Sequence, residues 1–103
     1  MAEAFSYKLT TENELFAFDF SQVLASGETL SMATCSVIVM NGTDPSPSSI
    51  LVGSAAISGA KANQRISGGV SEVTYRLVMT VTTSLGNTYT SVGDLPVYSS
   101  DLV

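Results

Sequence analysis

Between Val73 and Thr82 the side chains alternate: Val73, Tyr75, Leu77, Met79 and Val81 share one parity, and Thr74, Arg76, Val78, Thr80 and Thr82 share the other. A β-strand sends successive side chains to opposite faces, so this segment presents one continuous apolar face. Wound into a helix, the same residues would spread around the cylinder, and the Val and Thr content disfavours that choice as well. An apolar strand face has to be buried against a second layer. Whatever else this chain does, it has to supply that layer.

The best candidate for it is Leu15-Phe16-Ala17-Phe18-Asp19-Phe20, which alternates again and places Phe16, Phe18 and Phe20 together with Asp19 on the opposite face. Three aromatic rings at one parity carry a large apolar area. The predicted core is therefore Phe16, Phe18, Phe20, Val73, Tyr75, Leu77, Met79 and Val81. Other runs complete a β pattern. Ser26-Gly27-Glu28 reads as a turn, and Thr29 to Met40 as one strand with a bulge, because the apolar parity drifts between Leu30/Met32 and Cys35/Val37/Val39. Asn41 to Ser49 is a loop with two prolines, and Ile50 to Ile57 a strand interrupted by Gly53. Ser58 to Asn63 reads as a loop, Gln64 to Ser67 as a short strand, and Gly68-Gly69 as a tight turn. Ser84-Leu85-Gly86-Asn87 predicts a hairpin into Thr88–Val92. Leu95-Pro96-Val97-Tyr98 predicts an edge strand or docking tail, since Pro cannot donate to a ladder.

About six or seven short strands with no convincing helix predict an all-β, two-sheet antiparallel β-sandwich of immunoglobulin-like type. Tyr75 sharpens this. It follows the Gly68-Gly69 turn and precedes Leu77 by two, the place where immunoglobulin-type domains put a corner tyrosine; an ordinary core tyrosine is the alternative. With 103 residues the chain fits one domain, residues 1–103, in which 1–11 and 98–103 are candidate docking arms that could add to a neighbour's sheet edge or simply fray.

Composition narrows the function. Charged residues are only 13% of the chain, against about 25% in a typical domain, which suits a surface covered by partners or a secreted β-rich module. The net charge is −5, and Lys8, Lys61, Arg65 and Arg76 are scattered, which argues against nucleic acid and against an anionic membrane surface. A single cysteine, Cys35, excludes an internal disulfide and reads as a small core residue. The N-terminus carries no secretory signal pattern.

Histidine is absent, which removes the usual general base, the Ser–His and Cys–His nucleophile systems and His-containing zinc sites. Glu12, Glu14 and Asp19 leave carboxylate chemistry formally open, but a solvated polar edge is the simpler reading, because a glycosidase pair needs a cleft between its acids. Asn41, Thr43 and Asp44 lack a calcium-loop pattern, and Ser67-Gly68-Gly69 precedes a strand where phosphate loops precede a helix. The expectation is no enzyme, no cofactor, no metal and no small-molecule substrate.

Three stretches resemble small virion proteins of tailed bacteriophages, of the fibre–tail adaptor, connector or decoration kind. They are Phe18-Asp19-Phe20-Ser21 with Leu24-Ala25-Ser26-Gly27-Glu28-Thr29-Leu30, then Ser67-Gly68-Gly69 leading into Tyr75-Arg76-Leu77, and Val81 to Tyr89. The resemblance implies an immunoglobulin-like sandwich present in several copies, or as a homo-oligomer, on a virion assembled in the host cytoplasm. It implies an adaptor linking tail, fibre or neck components through contacts with other virion proteins. A capsid decoration protein, or a cell-surface or carbohydrate-binding recognition module, are the alternatives. A hydrolase built on Glu14 or Asp19 is a third.

Overall fold

A computed structural model of the chain describes residues 2–102. Its strands are β1 (Ala2–Ala4), β2 (Lys8–Leu9), β3 (Asn13–Asp19), β4 (Leu30–Asn41), β5 (Leu51–Ser58), β6 (Lys61–Ser67), β7 (Val73–Thr83) and β8 (Thr88–Tyr98). Two single turns of 3₁₀-helix, Pro47–Ile50 and Ser100–Leu102, accompany them. One sheet runs β8-β7-β4, with β1 and β2 sharing the far edge of β8; the other runs β3-β6-β5. All pairings are antiparallel except those of β1 and β2, which lie parallel to β8. The chain changes sheets between β2 and β3, between β3 and β4, between β4 and β5, and between β6 and β7. This is the strand arrangement of an immunoglobulin-like sandwich.

The strand β7 is the centre of the first sheet, and its side chains alternate between buried and half-buried along the whole strand. Val73, Tyr75, Leu77, Met79 and Val81 point inward, and Phe16, Phe18 and Phe20 meet them from the second sheet; none of the eight is more than 6% exposed. Ile50, Ile66, Leu95 and Val97 complete the same cluster. One shared core thus cements both sheets.

Local chemistry sets the boundaries. The hairpin from β7 to β8 closes by Thr83 N–H to Asn87 O at 2.8 Å and Gly86 N–H to Thr83 O at 3.0 Å. Gly86 takes φ +83°, the left-handed position such a three-residue loop needs. In β4 the register against β7 shifts between Leu30 and Met32. That bulge is the parity drift seen in the sequence: Leu30 is buried, Met32 turns outward, and Val37 faces the core again.

Two segments differ from expectation. The loop expected over Ser58–Asn63 is only a two-residue turn, and β6 starts at Lys61, paired with Asp19 on one side and Ser58 on the other. The polar residues Lys61, Asn63 and Arg65 occupy the outward parity, while Ala62, Gln64 and Ile66 are buried. Leu95–Tyr98 continues β8, which is flanked on both sides, so it is no separate edge strand. Pro96 falls between the residues that pair with β1 (Val92–Asp94) and those that pair with β2 (Val97–Tyr98). Its missing N–H coincides with the break in that edge.

Candidate functional site

The carboxylates that could have done chemistry are scattered or engaged. Glu12, Glu14 and Asp19 are exposed. Asp19 Oδ1 accepts the Ser21 N–H at 2.9 Å, and this bond holds its carboxyl below the usual range. Among the described residues no cavity opens into the molecule, and no three acidic or cysteine side chains converge as metal ligands.

Among the described residues Glu28 is the one buried acid. Its Oε1 accepts the Ala25 N–H at 2.8 Å, and its Oε2 accepts Thr83 Oγ1–H at 2.5 Å and Asn87 Nδ2–H at 2.9 Å. The Thr83 bond first, then the Ala25 and Asn87 bonds, lower its pKa. The carboxylate clamps the turn before β4 to the β7–β8 hairpin. It is a structural acid.

Tyr75 has the geometry of a corner tyrosine. Its hydroxyl accepts the Val70 N–H at 2.8 Å and donates to Asp44 Oδ2 at 2.7 Å. Burial, and then the bond to the Asp44 carboxylate, push the phenol up to about 12. One ring thereby ties the β6–β7 loop to the loop after β4. Cys35 is half-buried against the core, and desolvation raises its thiol to about 11, so it stays protonated and inert at neutral pH.

What the molecule offers to partners is edge and surface. The strand β4 is the outer strand of its sheet. It spans twelve residues, Leu-Ser-Met-Ala-Thr-Cys-Ser-Val-Ile-Val-Met-Asn, without a charge or a proline. Edge strands normally carry such features to prevent pairing with other chains. Its outward side chains include Met32, Ile38 and Met40, which are 68%, 49% and 46% exposed. Beside them run Thr80, Val78 and Arg76 of β7, then Thr90, Val92 and Asp94 of β8. The single ion pair there joins Arg76 Nε to Asp94 Oδ1 at 2.7 Å, with Nη2 to Oδ2 at 3.0 Å.

The opposite edge is closed by the N-terminal arm. Phe5 stacks on Phe16 and Phe18 with ring centroids 4.9 and 5.6 Å away. Lys8 is fully buried, and its ammonium donates to Leu9 O at 2.8 Å and Gly68 O at 2.5 Å. Desolvation lowers its pKa, against the pull of Glu12 and Glu14. At the other terminus Ser99 N–H donates to Ser71 Oγ at 2.9 Å, which fastens the start of the C-terminal tail.

Sequence reasoning read Glu28 only as part of a turn, weighed Asp44 only as a calcium-loop candidate and counted Lys8 only among scattered bases. Their partners Gly68, Thr83, Asn87 and Tyr75 lie far along the chain, and no short-range pattern marks a polar residue that a distant group will satisfy.

Among the described residues the chain is thus an immunoglobulin-like sandwich with an unpaired, uncharged edge strand and no cavity. Residues 8–95 match the model of a protein family described as Podophage GP4 fiber-tail adaptor protein gp77. The chain belongs to that family, a structural component of phage tails and not a family of enzymes. No curated protein and no solved structure matches the chain.

Proposed function

We propose that this protein is a non-catalytic adaptor in the tail of a podophage virion, linking tail, fibre or neck components through protein–protein contacts, in several copies per particle. Its partners are other virion proteins, met as the particle assembles in the host cytoplasm, with no part for nucleic acid, membrane or a small-molecule substrate. The observation that carries this reading is the unpaired, uncharged outer edge of β4. An unpaired strand presents a row of N–H and C=O groups that an extended segment of another protein can complete. The absence of charge along it means that no ion has to be desolvated when it is covered.

Family membership supports the placement, and the weakly charged surface supports extensive contact. Wild-type protein should appear in washed particles at a copy number that divides evenly into the tail symmetry, measured by quantitative mass spectrometry. Charging the edge with Met32→Lys and Ile38→Lys should change folding stability by no more than about 0.5 kcal/mol per site, since both residues are exposed, yet strip the protein from particles. Absence of the wild-type protein from washed virions would refute the adaptor reading. Full incorporation of the doubly charged variant would move the interface away from β4.

A further inference from the structure

The arm on β8 has the construction of a plug in a socket. Phe5 sits where residue 93 is a glycine: a Cβ there would lie 2.7 Å from the Phe5 Cζ atom, well inside van der Waals contact. Phe16 and Phe18 form the floor. Beyond Phe5 the arm is held by Phe5 N–H to Asp94 O at 3.0 Å and Thr10 N–H to Tyr98 O at 2.9 Å, by the β1 and β2 ladders, and by the Lys8 ammonium on Gly68 O. None of these contacts but the ammonium bond to Leu9 O is made within the arm itself.

We propose that this socket is a strand-acceptor site that also takes the arm of a second copy, so that neighbouring copies exchange residues 2–9. The occupant is on view, because the segment that fits the site is the one already seated there. The path allows it. Only Thr10, Thr11 and Glu12 separate β2 at the edge of one sheet from β3 at the edge of the other. This short turn, closed by Glu12 N–H to Leu9 O at 3.0 Å and Leu9 N–H to Glu12 Oε1 at 2.8 Å, is the hinge that would open. Exchange of an identical element reproduces every contact in the partner and needs no new surface. The socket residues Phe16, Phe18, Gly68 and Gly93 lie within the span shared with the family, whereas Phe5 lies outside it.

Because closed and exchanged forms bury the same groups, the balance turns on proximity. A short linker holds its arm at an effective concentration of about millimolar. Exchange is therefore sparse in dilute solution and favoured where copies stand side by side, as on a particle. The proposal rests on the multi-copy reading above only for the occasion of exchange.

Cysteines placed at register partners test it. Ala2 pairs with Val92, so one full-length protein carries Ala2→Cys and a second carries Val92→Cys, both with Cys35→Ser. Mixed at about millimolar concentration and oxidised, they should give a disulfide-linked heterodimer whose yield rises with concentration. Gly93→Leu in the chain that carries Val92→Cys fills the seat of Phe5 in the acceptor alone and should lower that yield at least about tenfold, as expected of overpacking a filled site. A single chain bearing both cysteines, diluted, should close on itself and so verifies the register without reference to exchange. If that chain closes but the mixture yields no heterodimer, the arm serves its own molecule only and the proposal fails. It fails equally if Gly93→Leu in the acceptor leaves the heterodimer yield unchanged. Particle incorporation is read separately, so a protein found in virions but unable to cross-link overturns exchange and leaves the adaptor reading intact.

Discussion

Tyr75 carries more of the architecture than any other side chain. Its ring is fully buried in β7, and its hydroxyl joins Val70 and Asp44, which lie on loops of different sheet crossings. Tyr75→Phe keeps the ring and removes both bonds, leaving Val70 N–H and the Asp44 carboxylate to find water. Such a loss costs about 1–2 kcal/mol, measurable as a lower urea midpoint at unchanged slope. A second consequence is pH dependence. The unfolded phenol ionises near 10, while the folded one holds its proton to about 12. The unfolded state therefore gains from deprotonation first, and stability declines as pH rises from 10 towards 12. The same decline should be shallower in Tyr75→Phe, by denaturation at matched pH values.

Among the elements, β7 and the Phe16/Phe18/Phe20 stretch were legible because each turns one face to the core, so burial and periodicity coincide. The bulge in β4 was legible for the same reason, as a slip in parity. The sequence was less informative where polar residues supply the order. Lys61-Ala62-Asn63 has poor strand propensity, yet forms β6 because β3 and β5 flank it on both sides, and tertiary pairing overrides propensity. Pro96 looked like the mark of an edge, but the edge is interrupted there by the gap between β1 and β2. The Glu28 clamp was invisible for a related reason: Thr83 and Asn87 lie more than fifty positions away. Its effect can be measured. Glu28 has its folded pKa depressed below 4.5, so its stabilisation is complete above the unfolded value and disappears as pH falls through the folded one. Glu28→Gln should lower the thermal midpoint at pH 7 and flatten its fall between pH 5 and 3. An unchanged acid slope in the variant would assign that slope to other carboxylates.

For the whole molecule, the decisive fact is that one core serves both sheets. The molecule extends 47 Å along its long axis and about half that across, so loops at the two ends lie far apart while β3, β4, β5, β6, β7 and β8 all contribute to the same apolar layer. Asp44, Glu72 and Asp101 all belong to one end: Asp44 bonds Tyr75, Glu72 N–H donates to Val97 O at 2.7 Å, and the Asp101 carboxylate accepts the Ser99 hydroxyl. The opposite end is formed by the Ser84–Asn87 hairpin and the turn before Thr29, joined by Ser84 N–H to Thr29 O at 2.8 Å. Neither end has a core of its own, because β7 and β8 run the full length between them and Phe16 and Phe18 pack across the middle. Removing the β3-β6-β5 sheet would expose Tyr75, Leu77 and Met79 to water at a cost of about 1.5–3 kcal/mol per large side chain, a loss comparable to the whole stability of about 5–15 kcal/mol that a domain of about 100 residues has. Unfolding should accordingly be a single transition, with far-ultraviolet circular dichroism reporting strands and near-ultraviolet signal reporting Tyr75 and the phenylalanines at the same midpoint. Refolding should take milliseconds to seconds, because the pairing of β3 with β6 and of β4 with β7 joins residues far apart in the chain. Separate midpoints for the two signals would mean that the sheets hold independently and that the shared core is not what keeps them together.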